Sequence, residues 1–197
     1  MTIQLAQPTF DGNEREYLMD CLDTGQMSGS GPYIEKFEEA WAAQVGAKYG
    51  VATCNGTAAL HLALLAKGVG VGDEVIVPDL TFVATANAVV MCGATPVFAD
   101  VDPATWTISP RDTIRKLTPK TKGILPVHLY GHPAPMDELP DSDLVFSIDD
   151  AAQAHGARYA DGPVGSKGAA TTWSFHAAKI ISTGEGGMVT TDDARLA

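Results

Sequence analysis

Residues 51–100 read VATCNGTAALHLALLAKGVGVGDEVIVPDLTFVATANAVVMCGATPVFAD. Short apolar runs alternate here with longer helix-like ones. VATC (51–54) reads as a strand, and GTAALHLALLAKG (56–68) as an apolar helix stopped by Gly68. DEVIVP (73–78) reads as a second strand, FVATANAVVMCG (82–93) as a helix stopped by Gly93, and TPVFADV (95–101) as a third strand. Strands rich in Val and Ile that alternate with helices belong to a mostly parallel sheet covered on both faces. The predicted fold class is therefore α/β, a three-layer sandwich.

The same reading extends in both directions. Upstream, IEKFEEAWAAQVGAKYG (34–50) reads as a helix with Phe37, Ala40, Trp41, Gln44 and Val45 on one face, stopped by Gly46 or Gly50. Downstream, SPRDTIRKL (109–117) is a helix with Ser109 as N-cap and Pro110 in its first turn. KGILPVHL (122–129), DLVFSIDDA (143–151), ATTWSF (170–175) and GMVTT (187–191) read as further strands, and the tail DDARLA (192–197) as the start of a helix. No repeat, low-complexity tract or linker divides the chain.

A chain of 197 residues supports one domain that buries roughly 70% of its unfolded surface. Its 13 basic and 24 acidic residues give a net charge of −11, which excludes a basic footprint for nucleic acid. An anionic ligand must then be held by local groups. Cys21, Cys54 and Cys92 are odd in number and form no CxxC pair, which argues against a disulfide framework and for a reducing cytoplasm. MTIQLAQPTFDGNERE (1–16) lacks the charged and apolar regions of a signal peptide, and no apolar run approaches about 18 residues.

Ligands of such sheets bind beyond the carboxyl ends of the strands, so the residues after each strand carry the chemistry. After VATC comes NGTAAL, where Gly56 permits a tight turn and Thr57 and Ala58 open a helix with free N–H groups and a hydroxyl. This suits a phosphate, and equally an ordinary helix cap. After DLVFSI stand Asp149 and Asp150. Buried carboxylates need partners, and Asp150 suits a cationic ligand nitrogen, a structural arginine or a cap. After TTWSF comes Lys179, ahead of the glycine-rich TGEGG. A lysine in a dry pocket forms a Schiff base with an aldehyde, whereas an ordinary lysine is a surface group. Phosphate donors, an acid and a lysine together match the requirements of pyridoxal phosphate.

SGSGPYIEKFEEAW, CNGTAALHLALLAKGVGVGDEVIVPDLTFVATANAV, GATPVFADVD, LPVHLYGHP, DDAAQAHGA and SFHAAKIISTGEGGMVTTDD resemble the sugar aminotransferases of the DegT/DnrJ/EryC1/StrS family. That resemblance implies the large domain of a fold-type I pyridoxal-phosphate transferase over residues 1–197. It implies Lys179 as the Schiff-base lysine and Asp150 as the acid on the pyridine nitrogen. It places Gln153 near the phenolic oxygen, Gly56, Thr57, Ala58 and Ser174 at the phosphate, and Phe82 against the ring. GPYIEKFE and STGEGGMVTTDD are most similar to enzymes that aminate C4 of GDP-4-keto-6-deoxymannose with glutamate. The partners implied are a nucleotide-linked keto sugar, glutamate and a second copy of the chain. Relatives with histidine at the lysine position dehydrate instead, so Lys179 favours transamination.

Family members continue past the GEGG strand into a smaller C-terminal domain that is not among these residues. Another fold-type I enzyme, a lyase or dehydratase, and a non-catalytic fragment therefore stand as alternatives. KGVGVGD (67–73) follows a helix and precedes a strand, the reverse of a dinucleotide fingerprint, and reads as a connection. His128 and His132 lack a third metal ligand, and His128 or Tyr130 suits either the substrate pocket or a structural role. His155, His176 and Glu185 are placed to support the cofactor residues or to serve the fold.

Overall fold

The computed structural model describes residues 9–26, 28–142 and 144–197. The N-terminal reading at residues 1–8 and the first residue of 143–151 lie outside them. Helices α1 (Glu14–Thr24) and α2 (Pro32–Val45) lead into strand β1 (Tyr49–Thr53). There follow α3 (Gly56–Ala66), β2 (Glu74–Pro78), α4 (Ala84–Met91), β3 (Thr95–Ala99), α5 (Pro110–Lys116) and β4 (Thr121–Ile124). Short 3-10 turns at Leu129–Gly131 and Met136–Glu138 precede β5 (Phe146–Asp150), β6 (Ala170–Ser174) and β7 (Gly187–Thr191).

The strands form one seven-stranded sheet in the order β1-β7-β6-β5-β4-β2-β3. The pairs β2–β3, β2–β4, β4–β5 and β5–β6 are parallel, and β7 runs antiparallel to both β1 and β6. The predicted mostly parallel sheet is thus present, and Val75, Ile76 and Val77 of β2 are fully buried on both faces, as a covered parallel strand requires.

The period-2 alternation of the strands sorts their side chains into two cores. On one face Val75, Val77, Ile148 and Val189 meet Leu60 and Leu64 of α3 and Val89 of α4. On the other, Trp173 and Met188 meet Trp41 and Val45 of α2, and Ile76 and Ile124 meet Ala134, Met136 and Leu139. Asp150 lies two residues beyond Ile148 and so faces α3 and α4. Asp149 faces the opposite side.

Three expectations change. Helix α1 was not foreseen, because Tyr17, Leu18, Met19 and Leu22 are all exposed and no residue of it is buried. The buried face of α2 is Trp41, Ala42 and Val45, while Ala40 and Gln44 are exposed. Glu38, one turn before Ala42, accepts the Ala52 N–H at 2.7 Å and ties α2 to β1, so a polar residue interrupts the apolar pattern on the inward face. Residues 192–197 form turns rather than a helix, with the Leu196 and Ala197 N–H groups both donating to the Asp193 carbonyl.

The start of β7 is fixed by a close approach. A Cβ on Gly187 would overlap the backbone carbonyl of Asn55, just before α3. Gly187→Ala is expected to destabilise the protein by about 1–3 kcal/mol, read by urea denaturation. Full stability in that variant would mean that β7 and the head of α3 are not locked together.

Candidate cofactor site

The parallel strands and the antiparallel β7 bring four chain segments to one sheet edge. The turn after β1 supplies Asn55, Gly56 and Thr57, the segment after β2 supplies Thr81 and Phe82, and the end of β5 supplies Asp150 and Gln153. The connection from β6 to β7 supplies Ser174, His176, Lys179 and Glu185. Together they line a cavity of about 430 Å³, within the usual range for small-molecule sites.

At the head of α3 the Asn55 side chain accepts the Ala58 N–H at 2.9 Å, which corrects one expectation. Ala58 is not free to bind an anion and does not line the cavity, whereas Gly56 and Thr57 do. Their N–H groups are first-turn donors without intrahelical acceptors. The need for glycine at position 56 also differs from expectation: its φ is not positive. A Cβ there would stand 2.8 Å from Ser174 Cβ and 3.3 Å from its hydroxyl oxygen. Glycine lets β6 press its serine against the helix head, so two amides and two hydroxyls, those of Thr57 and Ser174, gather in one place.

Asp150 is buried and anchored by a short relay. Thr85 Oγ1 donates to its Oδ2 at 2.8 Å, and the Ala152 N–H reaches Oδ1 at 3.2 Å. Thr81 and Thr85 hydroxyls lie 2.9 Å apart. The Thr85 proton is committed to Asp150, so Thr81 is the donor to Thr85. Burial pushes the Asp150 carboxyl above the usual carboxylate range, opposed first by the Thr85 hydroxyl and then by the Ala152 N–H. The sequence reading missed Thr81 and Thr85. Their signal was two threonines four residues apart directly after a strand end.

Asp149, on the other face, is fully buried against His128, whose Nε2 lies 3.4 Å from Oδ2. His128 Nδ1 accepts the Ala134 N–H at 2.9 Å, which leaves the ring proton on Nε2, facing Asp149. His128 is therefore structural, and among the described residues it is the basic group that answers this acid. Its Oδ1 has no partner among the described residues, and burial raises the Asp149 carboxyl as well.

Gln153 Oε1 accepts the Tyr130 N–H at 2.8 Å, which leaves its amide NH₂ free to donate into the cavity. Phe82 precedes α4 rather than beginning it, and lines the cavity while 67% exposed. Lys179 is half-buried in the loop between β6 and β7, not in a buried segment. Backbone bonds clamp that loop: Phe175 N–H to Gly186 O and Ala177 N–H to Gly184 O at 2.8 Å, and Thr183 N–H to Phe175 O at 2.9 Å. His176 and Glu185 flank the lysine, with Nε2 and Oε1 3.6 Å apart. His155 does not line the cavity. It packs among Trp41, Trp173 and Phe175, and burial lowers its pKa to about 4.

The group expected from the sequence can be tested against these residues. Pyridoxal phosphate needs an amine, a carboxylate for its ring nitrogen and donors for its phosphate. The cavity offers Lys179, a buried Asp150 with acceptor capacity remaining on both oxygens, and the donor patch that Gly56 opens against Ser174. The residues fit the group.

Comparison with known proteins agrees. The model of the DegT/DnrJ/EryC1/StrS aminotransferase family matches residues 8–197. The GDP-perosamine synthase of Caulobacter vibrioides is 50% identical over 99% of the chain and 53% of its own length. The solved aminotransferase from Psychrobacter cryohalolentis superposes with a TM-score of 0.92 at 45% identity, over 97% of this chain and 50% of that one. NtdA from Bacillus subtilis, solved with bound cofactor PMP, gives 0.86 at 37% identity, over 92% and 42%. The chain spans about half the length of the curated relatives it matches.

The raised Asp150 carboxyl has a measurable consequence without cofactor. The folded protein keeps that proton to higher pH than the unfolded chain. The group's contribution to stability is therefore present in full below the usual carboxylate range and is lost as pH rises through the raised folded value. Asp150→Asn removes the cost of the buried charge. The cofactor-free variant should match wild type near about pH 3 and exceed it in stability at neutral pH, read from melts across pH. A variant less stable than wild type at neutral pH would show that Asp150 carries no net burial cost.

Proposed function

The chain belongs to the DegT/DnrJ/EryC1/StrS aminotransferase family, and we propose from that premise that the protein moves the amino group of glutamate to a nucleotide-linked keto sugar. The finer proposal is C4 of a 4-keto-6-deoxy sugar such as GDP-4-keto-6-deoxymannose. Its support is the 50% identity to the Caulobacter GDP-perosamine synthase. The observation that carries the reaction type is the convergence of Lys179, Asp150 and the Gly56–Ser174 patch in one cavity. Residues 1–197 are the proposed cofactor-binding large domain.

Pyridoxal phosphate, when bound, supplies an aldehyde that condenses with amines and a ring that takes up the electron pair left when a proton leaves carbon. The N–H groups of Gly56 and Thr57, with the Thr57 and Ser174 hydroxyls, hold the phosphate. The burial of Asp150 makes its carboxylate a strong partner for a ring N–H, and the Thr81–Thr85 relay fixes its aim. The NH₂ of Gln153 would donate to the phenolic oxygen, and Phe82 would lie against the ring and exclude water. Lys179 Nζ is the base that takes the proton from glutamate Cα and the acid that returns a proton to the sugar carbon, a role that typically contributes about 10²–10⁴-fold. Glutamate leaves as the 2-oxo acid, and the keto sugar leaves as the amino sugar.

A second copy of the chain is the proposed partner, supported by Tyr17, Leu18, Met19 and Leu22, which α1 exposes together. The three cysteines are free thiols, and cytoplasmic residence is part of the proposal. No helix among the described residues is long and apolar enough to cross a membrane.

Lys179→Ala should lower turnover of the complete protein with glutamate and keto sugar by at least about 10²–10⁴-fold while its circular dichroism and melting temperature stay near wild type. Retained transamination would remove Lys179 from this role. Asp150→Asn should weaken cofactor binding by an amount on the order of 3–5 kcal/mol, read by absorbance titration.

A further inference from the structure

Among the described residues, two without glycine's freedom sit in left-handed backbone: Trp106 at φ 62° and Tyr130 at φ 52°. Bulky side chains rarely adopt this conformation, and strain of this kind gathers at ligand sites. Both are aromatic, and both follow the carboxyl ends of their strands, Trp106 after β3 and Tyr130 after β4. Their ring centroids lie 6.3 Å apart at an interplanar angle of 68°, an edge-to-face pair. The pair is not core packing, since Trp106 is 53% and Tyr130 75% exposed. Two distant segments thus accept unfavourable backbone to hold two exposed rings together.

Neither ring lines the cofactor cavity, but a backbone hydrogen bond ties the pair to it. The Tyr130 N–H donates to Gln153, which lines that cavity. A nucleotide-linked sugar is a long ligand: with its sugar carbon at Lys179, the nucleotide must leave the cavity along the carboxyl edge. We propose that Trp106 and Tyr130 form the stacking platform for the nucleobase of that substrate, an inference that rests on the nucleotide-sugar reading above. A planar base packs on an exposed aromatic face whatever its hydrogen-bond pattern. The platform therefore supplies affinity for the nucleotide, not discrimination among bases.

The backbone suggests a clean test. Glycine adopts positive φ freely, so Trp106→Gly and Tyr130→Gly remove each ring while relieving its strain. Binding of GDP, UDP, dTDP and inorganic pyrophosphate to the complete, cofactor-loaded protein is measured calorimetrically. Melting temperature and the glutamate-driven absorbance change of the cofactor are recorded alongside. Each variant should bind the nucleoside diphosphates about 5- to 150-fold more weakly, the equivalent of about 1–3 kcal/mol per stacked base. Pyrophosphate affinity and melting temperature should not fall in either variant, nor the glutamate step in Trp106→Gly. Unchanged nucleotide affinity in both variants overturns the platform. So does a loss that comes with a lower melting temperature and a lost glutamate step, the signature of a structural role. A wild type that answers glutamate but binds none of the three nucleotides overturns both the platform and the nucleotide-sugar reading. One that binds nucleotides but ignores glutamate overturns the transaminase reading and leaves the platform to be judged by its variants.

Discussion

A carboxylate buried beside a sheet is costly unless something cationic answers it, and the site is organised around one such group. Asp150 stands at the end of β5 with its two bonds, from Thr85 and Ala152, already made. Among the described residues no arginine and no salt bridge answers it. The protein gives it a cavity that Lys179 also lines. A site built this way holds a place for a ligand cation. That constraint explains the threonine relay, whose only evident use is to fix a carboxylate that would otherwise rotate.

The adjacent acid shows the alternative. Asp149 differs from Asp150 by one residue and therefore by one face of the sheet. There it meets His128, whose tautomer is set by the Ala134 amide. Asp149 is answered from within the fold while Asp150 faces the cavity, and the alternation of the strand separates them. The reversal of β7 matters equally. A parallel seventh strand would need a crossover back to the opposite edge. The antiparallel one turns back directly, so the loop that carries Lys179 stays at the carboxyl edge and is clamped there by backbone bonds.

Much of this was legible in the sequence. The β–α alternation over residues 51–100 predicts the sheet, and seven of the eight proposed site residues line one cavity. What was not legible has physical reasons. Ala58 is excluded because its neighbour Asn55 caps the helix, a competition that the motif NGTAAL does not decide by itself. Gly56 was credited with a turn conformation, yet its purpose is contact with Ser174, 118 residues further on by the numbering, and no local pattern reports such a contact. Helix α1 escaped because its apolar residues point to solvent. Trp106 and Tyr130 escaped because backbone strain leaves no trace in composition.

The most direct measurement is chemical. The protein is loaded with pyridoxal phosphate, its visible absorption is recorded, and it is reduced with borohydride and digested for peptide mapping. If the carboxyl edge is the cofactor site, the pyridoxyl group is found on Lys179 alone, and prior loading with a reduced, amine-form cofactor prevents the labelling. Pyridoxyl spread over several surface lysines, or fixed on a lysine outside the cavity, would contradict it.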